Sequence, residues 1–102
     1  MQGSIVGLFA SPKGGVPKPS VEALHILEDG CIGDKQNDTK HHGGANRAVC
    51  LFSEEVLRNL QHENHPIYPG SVGENILIKD IQWDNVAIGT QFHFEQVIVE
   101  IT

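Results

Sequence analysis

The sequence is short of cations, of cysteine and of long apolar runs. Only 7 of its 102 residues are Lys or Arg, against 13 Asp or Glu, giving a formal net charge of −6. Binding to nucleic acid or to an anionic membrane draws its strength from a basic surface that releases counterions, so neither partner class is expected. One anion held in a locally basic pocket stays compatible with this balance. No apolar stretch approaches the roughly 20 residues that cross a bilayer. Met1-Gln2-Gly3 leads into a short apolar run without a basic leader, so no secretory signal is read and a cytoplasmic location is expected. Two cysteines in that compartment, Cys31 and Cys50, do not predict a disulfide framework.

What the chain does have is glycine, 11 residues of it, beside a hydrophobic share of 39%. That composition favours a turn-rich β protein over a helical bundle. A chain this long makes one domain, expected to span 1–102, and can hide roughly 60–70% of its unfolded surface. Ser4–Phe9 predicts a first strand, and Ser11–Ser20, with three prolines and Gly14-Gly15, must be loop. Val21–Leu27 resumes an apolar pattern that Glu28-Asp29-Gly30 ends. Arg47–Phe52 reads as a buried strand. Ser53 is a good helix N-cap, and Glu54 and Glu55 suit the positive end of the helix dipole. Val56, Leu57 and Leu60 recur at helical spacing, so one helix is predicted over about 53–62, closed off by Pro66 and Pro69-Gly70.

Asn75–Lys79 alternates into another strand. Near the end, Phe92 and Phe94 share one phase and Val97, Val99 and Ile101 the other, which places a tight hairpin turn at Glu95-Gln96. Five or six strands and one helix predict a mainly β, small and barrel-like domain. The apolar pattern of Val97–Thr102 asks for a partner on its second edge, so the domain is expected to be incomplete at its C-terminal end, or to form a homodimer through that strand.

Chemistry-bearing residues gather in two places. Cys31 to Asn46 is a long polar stretch without core periodicity, a feature that loops with a function often share. It holds Asp34, Asp38, His41 and His42, which together could ligate a divalent metal, although their spacing matches no zinc signature. The same stretch also reads as a plain polar loop with Asx turns at Asp34 and Asp38. A third reading uses Gly43-Gly44 to aim backbone N–H groups at an anion, with Arg47 as a bidentate cation and His42 as a hydrogen-bond donor. The second place is Pro69-Gly70-Ser71-Val72-Gly73-Glu74-Asn75, where Glu74 and Asn75 either cap backbone groups at a turn or stand at the mouth of a barrel. Cys50 reads as a small core residue. Cys31 is the better candidate for an exposed thiol, with Glu28 and Asp29 expected to raise its pKa.

Taken in order, Gly33-Asp34, His42-Gly43-Gly44-Ala45-Asn46-Arg47-Ala48-Val49 and Pro69-Gly70-Ser71-Val72-Gly73-Glu74-Asn75 closely resemble the MOSC family, named for the C-terminal domain of molybdenum cofactor sulfurase. Ser11–Lys18 extends the likeness toward the start. The resemblance implies a strongly bent, barrel-like β domain. It further implies binding of the molybdenum cofactor (molybdopterin), sulfur carriage for metal-sulfur clusters, or reduction of N-hydroxylated compounds. Asp34, His42, Gly43, Gly44, Arg47, Glu74 and Asn75 are the cofactor-binding residues it suggests, with a small-molecule cofactor or a sulfur-donor protein as partner. The family's reactive cysteine follows the last strand, and neither Cys31 nor Cys50 falls at that position, so no catalytic residue is assigned. Pyridoxal phosphate belongs to a separate domain of the full sulfurase and is not expected. Two other readings stand beside this one: a non-catalytic binding or scaffolding remnant, and a metal-dependent hydrolase using Asp34, Asp38, His41 and His42.

Overall fold

β5, Ile76–Lys79, organises the molecule because its side chains are buried on both faces. In this computed structural model, which describes residues 2–35 and 48–102, β5 is the middle strand of a three-stranded sheet. On one side it pairs antiparallel with β1, Ser4–Leu8, with a register break between Ile5 and Gly7. On the other it pairs parallel with β4, Leu51–Ser53. Parallel neighbours need a crossover, and an α-helix, α1 (Glu54–His62), lies in the chain between them.

Alternation along β5 splits the core in two. Leu77 packs with Phe9 and Leu57, joined by Phe52 and Ile67. Ile76 and Ile78 face the other way and pack with Phe92, joined by Leu8, Leu24, Trp83 and Phe94 among others. A strand with a core on each side reads as a continuous apolar run, which Ile76-Leu77-Ile78 is.

Two hairpins complete the described architecture: β2 with β3 (Ile26–Leu27 and Gly30–Cys31), and β6 with β7 (Gln91–Phe94 and Val97–Glu100). The second turns at Glu95-Gln96 as the phase break predicted, pairing Phe92 with Val99 and Phe94 with Val97 on one face. Ser53 caps α1 as expected: its backbone is extended and its Oγ accepts a hydrogen bond from Val56 N–H at 3.2 Å.

The chain is therefore mainly β, as its composition and periodicity implied, and the described residues hold seven strands and one α-helix. They form three separate sheets that do not close into a barrel. Three local expectations are corrected. The strand read over Arg47–Phe52 begins only at Leu51, because the backbone of Cys50 is bound by Asn75 and Ile76 in an irregular lead-in; Arg47 lies outside the described residues. The apolar pattern of Val21–Leu27 yields strand only at Ile26–Leu27, and Glu28-Asp29, read as a terminator, is the turn of a hairpin. Cys31, expected to be exposed, is buried in β3. Among the described residues no helix is long and apolar enough to cross a membrane.

Candidate functional site

The Ser11–Ser20 loop and Asn75 converge on Asp34. Gly33 adopts a positive φ of 81°, open to glycine at no steric cost, and so turns the chain after β3 to direct Asp34 inward. The Asp34 side chain has no exposed surface and Lys18 is 8% exposed. Asp34 Oδ1 accepts from Ser11 N–H at 2.8 Å. Asp34 Oδ2 accepts from Lys18 Nζ at 2.8 Å and from Asn75 Nδ2 at 2.9 Å. These contacts make Asp34 part of a long-range knot. Burial pushes the Asp34 carboxyl up, but the hydrogen bonds from Lys18, Ser11 and Asn75, with the charge of Lys18, outweigh it and hold the group below its ordinary range.

Asn75, 1% exposed, is the second hub. Its Nδ2 also donates to the Phe9 carbonyl at 3.1 Å, and its Oδ1 accepts from Cys50 N–H at 3.1 Å. Its own backbone N–H donates to Cys50 O, and its carbonyl accepts from Phe9 N–H. The side chain and backbone of this one residue thus bind together the end of β1, the approach to β4 and the Asp34 turn. Few side chains other than an amide carry both the donors and the acceptor that this position demands.

Lys18 is the group that sequence reasoning passed over, reading it only as part of the Ser11–Ser20 loop. Its position depends on Gly70. Lys18 N–H donates to Gly70 O at 2.9 Å, and Gly70 holds a φ of 89°. A Cβ on Gly70 would run into the Lys18 carbonyl and come within 3.1 Å of the Phe9 ring. The clue in the sequence was that Lys18 sits between Pro17 and Pro19, where the chain has little freedom to point its side chain elsewhere.

Glu74 is fully buried. Its Oε2 accepts from Gly70 N–H at 3.0 Å, while Oε1 has no hydrogen-bond partner among the described residues. Native proteins rarely leave a buried polar atom in that condition, and where they do a bound group commonly explains it. The described centre sets one cation, Lys18, against two acidic side chains, Asp34 and Glu74.

Both thiols lie beside this centre. Burial pushes the Cys31 thiol up to about 11, with Asp34 adding to the rise and Lys18 opposing it; Asp34, rather than Glu28 or Asp29, is the acid that acts on it. Its Sγ lies 3.9 Å from the Ala48 carbonyl. Burial also raises Cys50; Lys18 pulls against the rise, and Glu74 and Asp34 add to it. Neither environment favours a thiolate.

Of the residues the sequence singled out, Asp34, Glu74 and Asn75 are brought together, and Asp34 and Asn75 touch. His42, Gly43, Gly44 and Arg47 lie outside the described residues, as do Asp38 and His41 of the metal reading. Among the described residues no three His, Cys, Asp or Glu side chains gather to hold a metal ion. The carboxylate of Asp34 is already committed to three donors.

Over 86 residues the chain is 27% identical to the uncharacterized protein YflK of Bacillus subtilis (strain 168), covering 83% of this chain and 39% of that protein. It is 26% identical over 83 residues to the protein YiiM of Escherichia coli (strain K12), covering 78% and 37%. The chain thus spans about two fifths of the length of the curated relatives it matches. A solved structure described as that of a hypothetical protein superposes with a TM-score of 0.74 at 24% identity, over 98% of this chain and 45% of the other, a likeness of fold. The MOSC domain family matches residues 38–102, which take in β4, α1, β5 and both strands of the last hairpin, and the chain belongs to that family.

Proposed function

We propose that this chain, as a MOSC domain, binds a ligand and holds the molybdenum cofactor in a pocket framed by Asp34, Glu74 and Asn75. Lys18 is its buried counter-charge, and the family resemblance adds His42, Gly43, Gly44 and Arg47 to the binding set. The observation that carries this reading is Glu74 Oε1, a buried carboxylate oxygen without a partner among the described residues. It suits a ligand edge rich in N–H donors, such as a pterin ring. The Lys18–Asp34–Asn75 knot holds Glu74 in place through Gly70. Lys18 is occupied by Asp34, so recognition of a ligand phosphate falls to Arg47 and the Gly43-Gly44 amides. Because Glu74 is fully covered, a ligand has to displace its cover on entry.

When bound, the cofactor supplies the metal and sulfur redox chemistry that protein side chains lack. The described residues orient it and exclude water. They do not furnish a thiolate: Cys31 and Cys50 are both held in the thiol form near neutral pH, so sulfur transfer or metal–thiolate ligation needs a further cysteine. This raised pair favours, as a second reading, a domain that binds without completing the reaction. The hydrolase reading is weakened by Asp34, whose lone pairs are engaged by Lys18, Ser11 and Asn75.

The test is anaerobic co-expression with molybdopterin biosynthesis, reading molybdenum and released pterin in the purified protein. The wild-type chain retains pterin and Glu74→Ala loses at least about tenfold of it, the effect of leaving a ligand N–H unpaired. If neither the chain nor a version extended past Thr102 retains molybdopterin, the proposal fails.

A further inference from the structure

The two oxygens of Asp34 hold the two ends of one short span. Oδ1 accepts from Ser11 N–H and Oδ2 from Lys18 Nζ, each at 2.8 Å. Both end residues are buried, whereas Pro12, Lys13, Gly15, Val16 and Pro17 between them are exposed. The near part of the span is a tight turn: Gly14 N–H donates to Ser11 O, and Ser11 Oγ donates to Gly14 O at 3.0 Å. Among the described residues no hydrogen bond holds Gly15, Val16 or Pro17.

The far part lies along the turn that carries Glu74. Lys18 N–H donates to Gly70 O at the start of that turn. Val16 reaches its end, where a Cβ on Gly73 would come within 3.3 Å of Val16 Cγ1. Glu74 follows Gly73 directly, fully buried, with Oε2 bound to Gly70 N–H.

We propose that residues 12–17 are a strap that opens to admit a ligand to Glu74, swinging at Gly14-Gly15 while Asp34 keeps both ends clasped. The strap rests on the reading of Glu74 as a ligand contact. Pro12 and Pro17 have a fixed φ, so bending concentrates at the glycines between them. Gly14 and Gly15, at φ of 76° and 74°, cross to negative φ with no side chain in the way. Opening uncovers little apolar surface, since Val16 is already 64% exposed. The buried Lys18–Asp34 pair stays intact throughout, so the entrance moves while the walls of the site keep their places.

The experiment reads amide hydrogen exchange by NMR, with Gly70 N–H reporting access to the Glu74 turn and the N–H groups of Asn75 and Ile76, both bound to Cys50 O, as controls. Val16→Gly removes the latch, and is expected to speed exchange at Gly70 about tenfold while the controls stay within about twofold. Gly15→Ala disfavours the closed φ without touching the Val16 contact, and is expected to act in the same direction. The proposal is overturned if Gly70 exchange is unchanged in both variants, or if the controls rise with it, which would mean that the whole centre loosens together. A second arm follows release of pterin from protein loaded by anaerobic co-expression, expected to be about tenfold faster in Val16→Gly. If the wild-type chain holds no pterin, the cofactor reading falls and the Gly70 exchange alone decides the strap.

Discussion

Replacing Asp34 by alanine tests the centre of the site most directly. The substitution leaves the Lys18 ammonium, 8% exposed, without its partner, and strands the Ser11 N–H and one Asn75 N–H that Asp34 accepted. Breaking a buried ion pair from one side costs about 3–5 kcal/mol, against about 0–1 kcal/mol for a solvated surface pair. For a domain whose total stability is on the order of 5–10 kcal/mol, that is a third or more of the whole. With a urea m-value near 1.5 kcal/mol/M, the midpoint falls by about 2–3 M. Lys18→Met alone is milder, because Asp34 keeps two other donors. The double variant is less damaged than the sum of the singles, by about 1–3 kcal/mol of coupling.

The effect has a defined pH window. The folded Asp34 titrates below its unfolded value of about 3.9, so its stabilisation is complete above about pH 4 and fades as pH falls through the lower, folded value. The gap between wild type and Asp34→Ala therefore narrows only in acid. A loss under about 1 kcal/mol at pH 7, or a gap that does not depend on pH below 4, would falsify the view of Asp34 as a buried, ionised hub.

Two further outcomes are expected. Gly70→Ala places a Cβ against the Lys18 carbonyl at a φ of 89° and should lower stability by about 1–3 kcal/mol, read by thermal denaturation; a neutral result would mean that the Lys18 loop is not seated on Gly70. With its thiol pushed up to about 11, Cys31 should react with a disulfide reagent at pH 8 on the order of a hundredfold more slowly than a free thiol, and at the free rate after unfolding in urea. A rate near that of a free thiol in the folded protein would place Cys31 outside the core.

How much of this was legible in the sequence depends on the range of the interaction. Ser53 and α1 were readable because a cap and a helical stripe are set within four residues of one another. The β6–β7 hairpin was readable because the change of phase between Phe94 and Val97 has one simple geometric cause. Asp34, Glu74 and Asn75 could be picked out, since glycine turns beside an acid and an amide are a local signature. What they do was not readable. Asp34 is bound by Ser11, Lys18 and Asn75, and nothing in a one-dimensional pattern shows that a carboxylate at 34 meets an amide at 75. Cys31 was misjudged for the same reason: its polar neighbours in the chain suggested solvent, while its neighbours in space include Ala48 and the Asp34 centre. The register of Arg47–Phe52 failed because Asn75 takes the Cys50 backbone before a regular ladder can.

The central position of β5 also sets a timetable for the nascent chain. Ser4 waits for Lys79, and Leu8 for Ile76. At ~5–20 residues per second, β1 leaves the ribosome roughly 4–15 s before its partner exists. Through that interval the apolar face of β1 and the first turn of α1 have no β5 to cover them, and few local contacts substitute for it. Folding is thus withheld until synthesis has passed Lys79. A ribosome stalled before that point would present a sticky, charge-free N-terminal strand to chaperones rather than a partly formed domain.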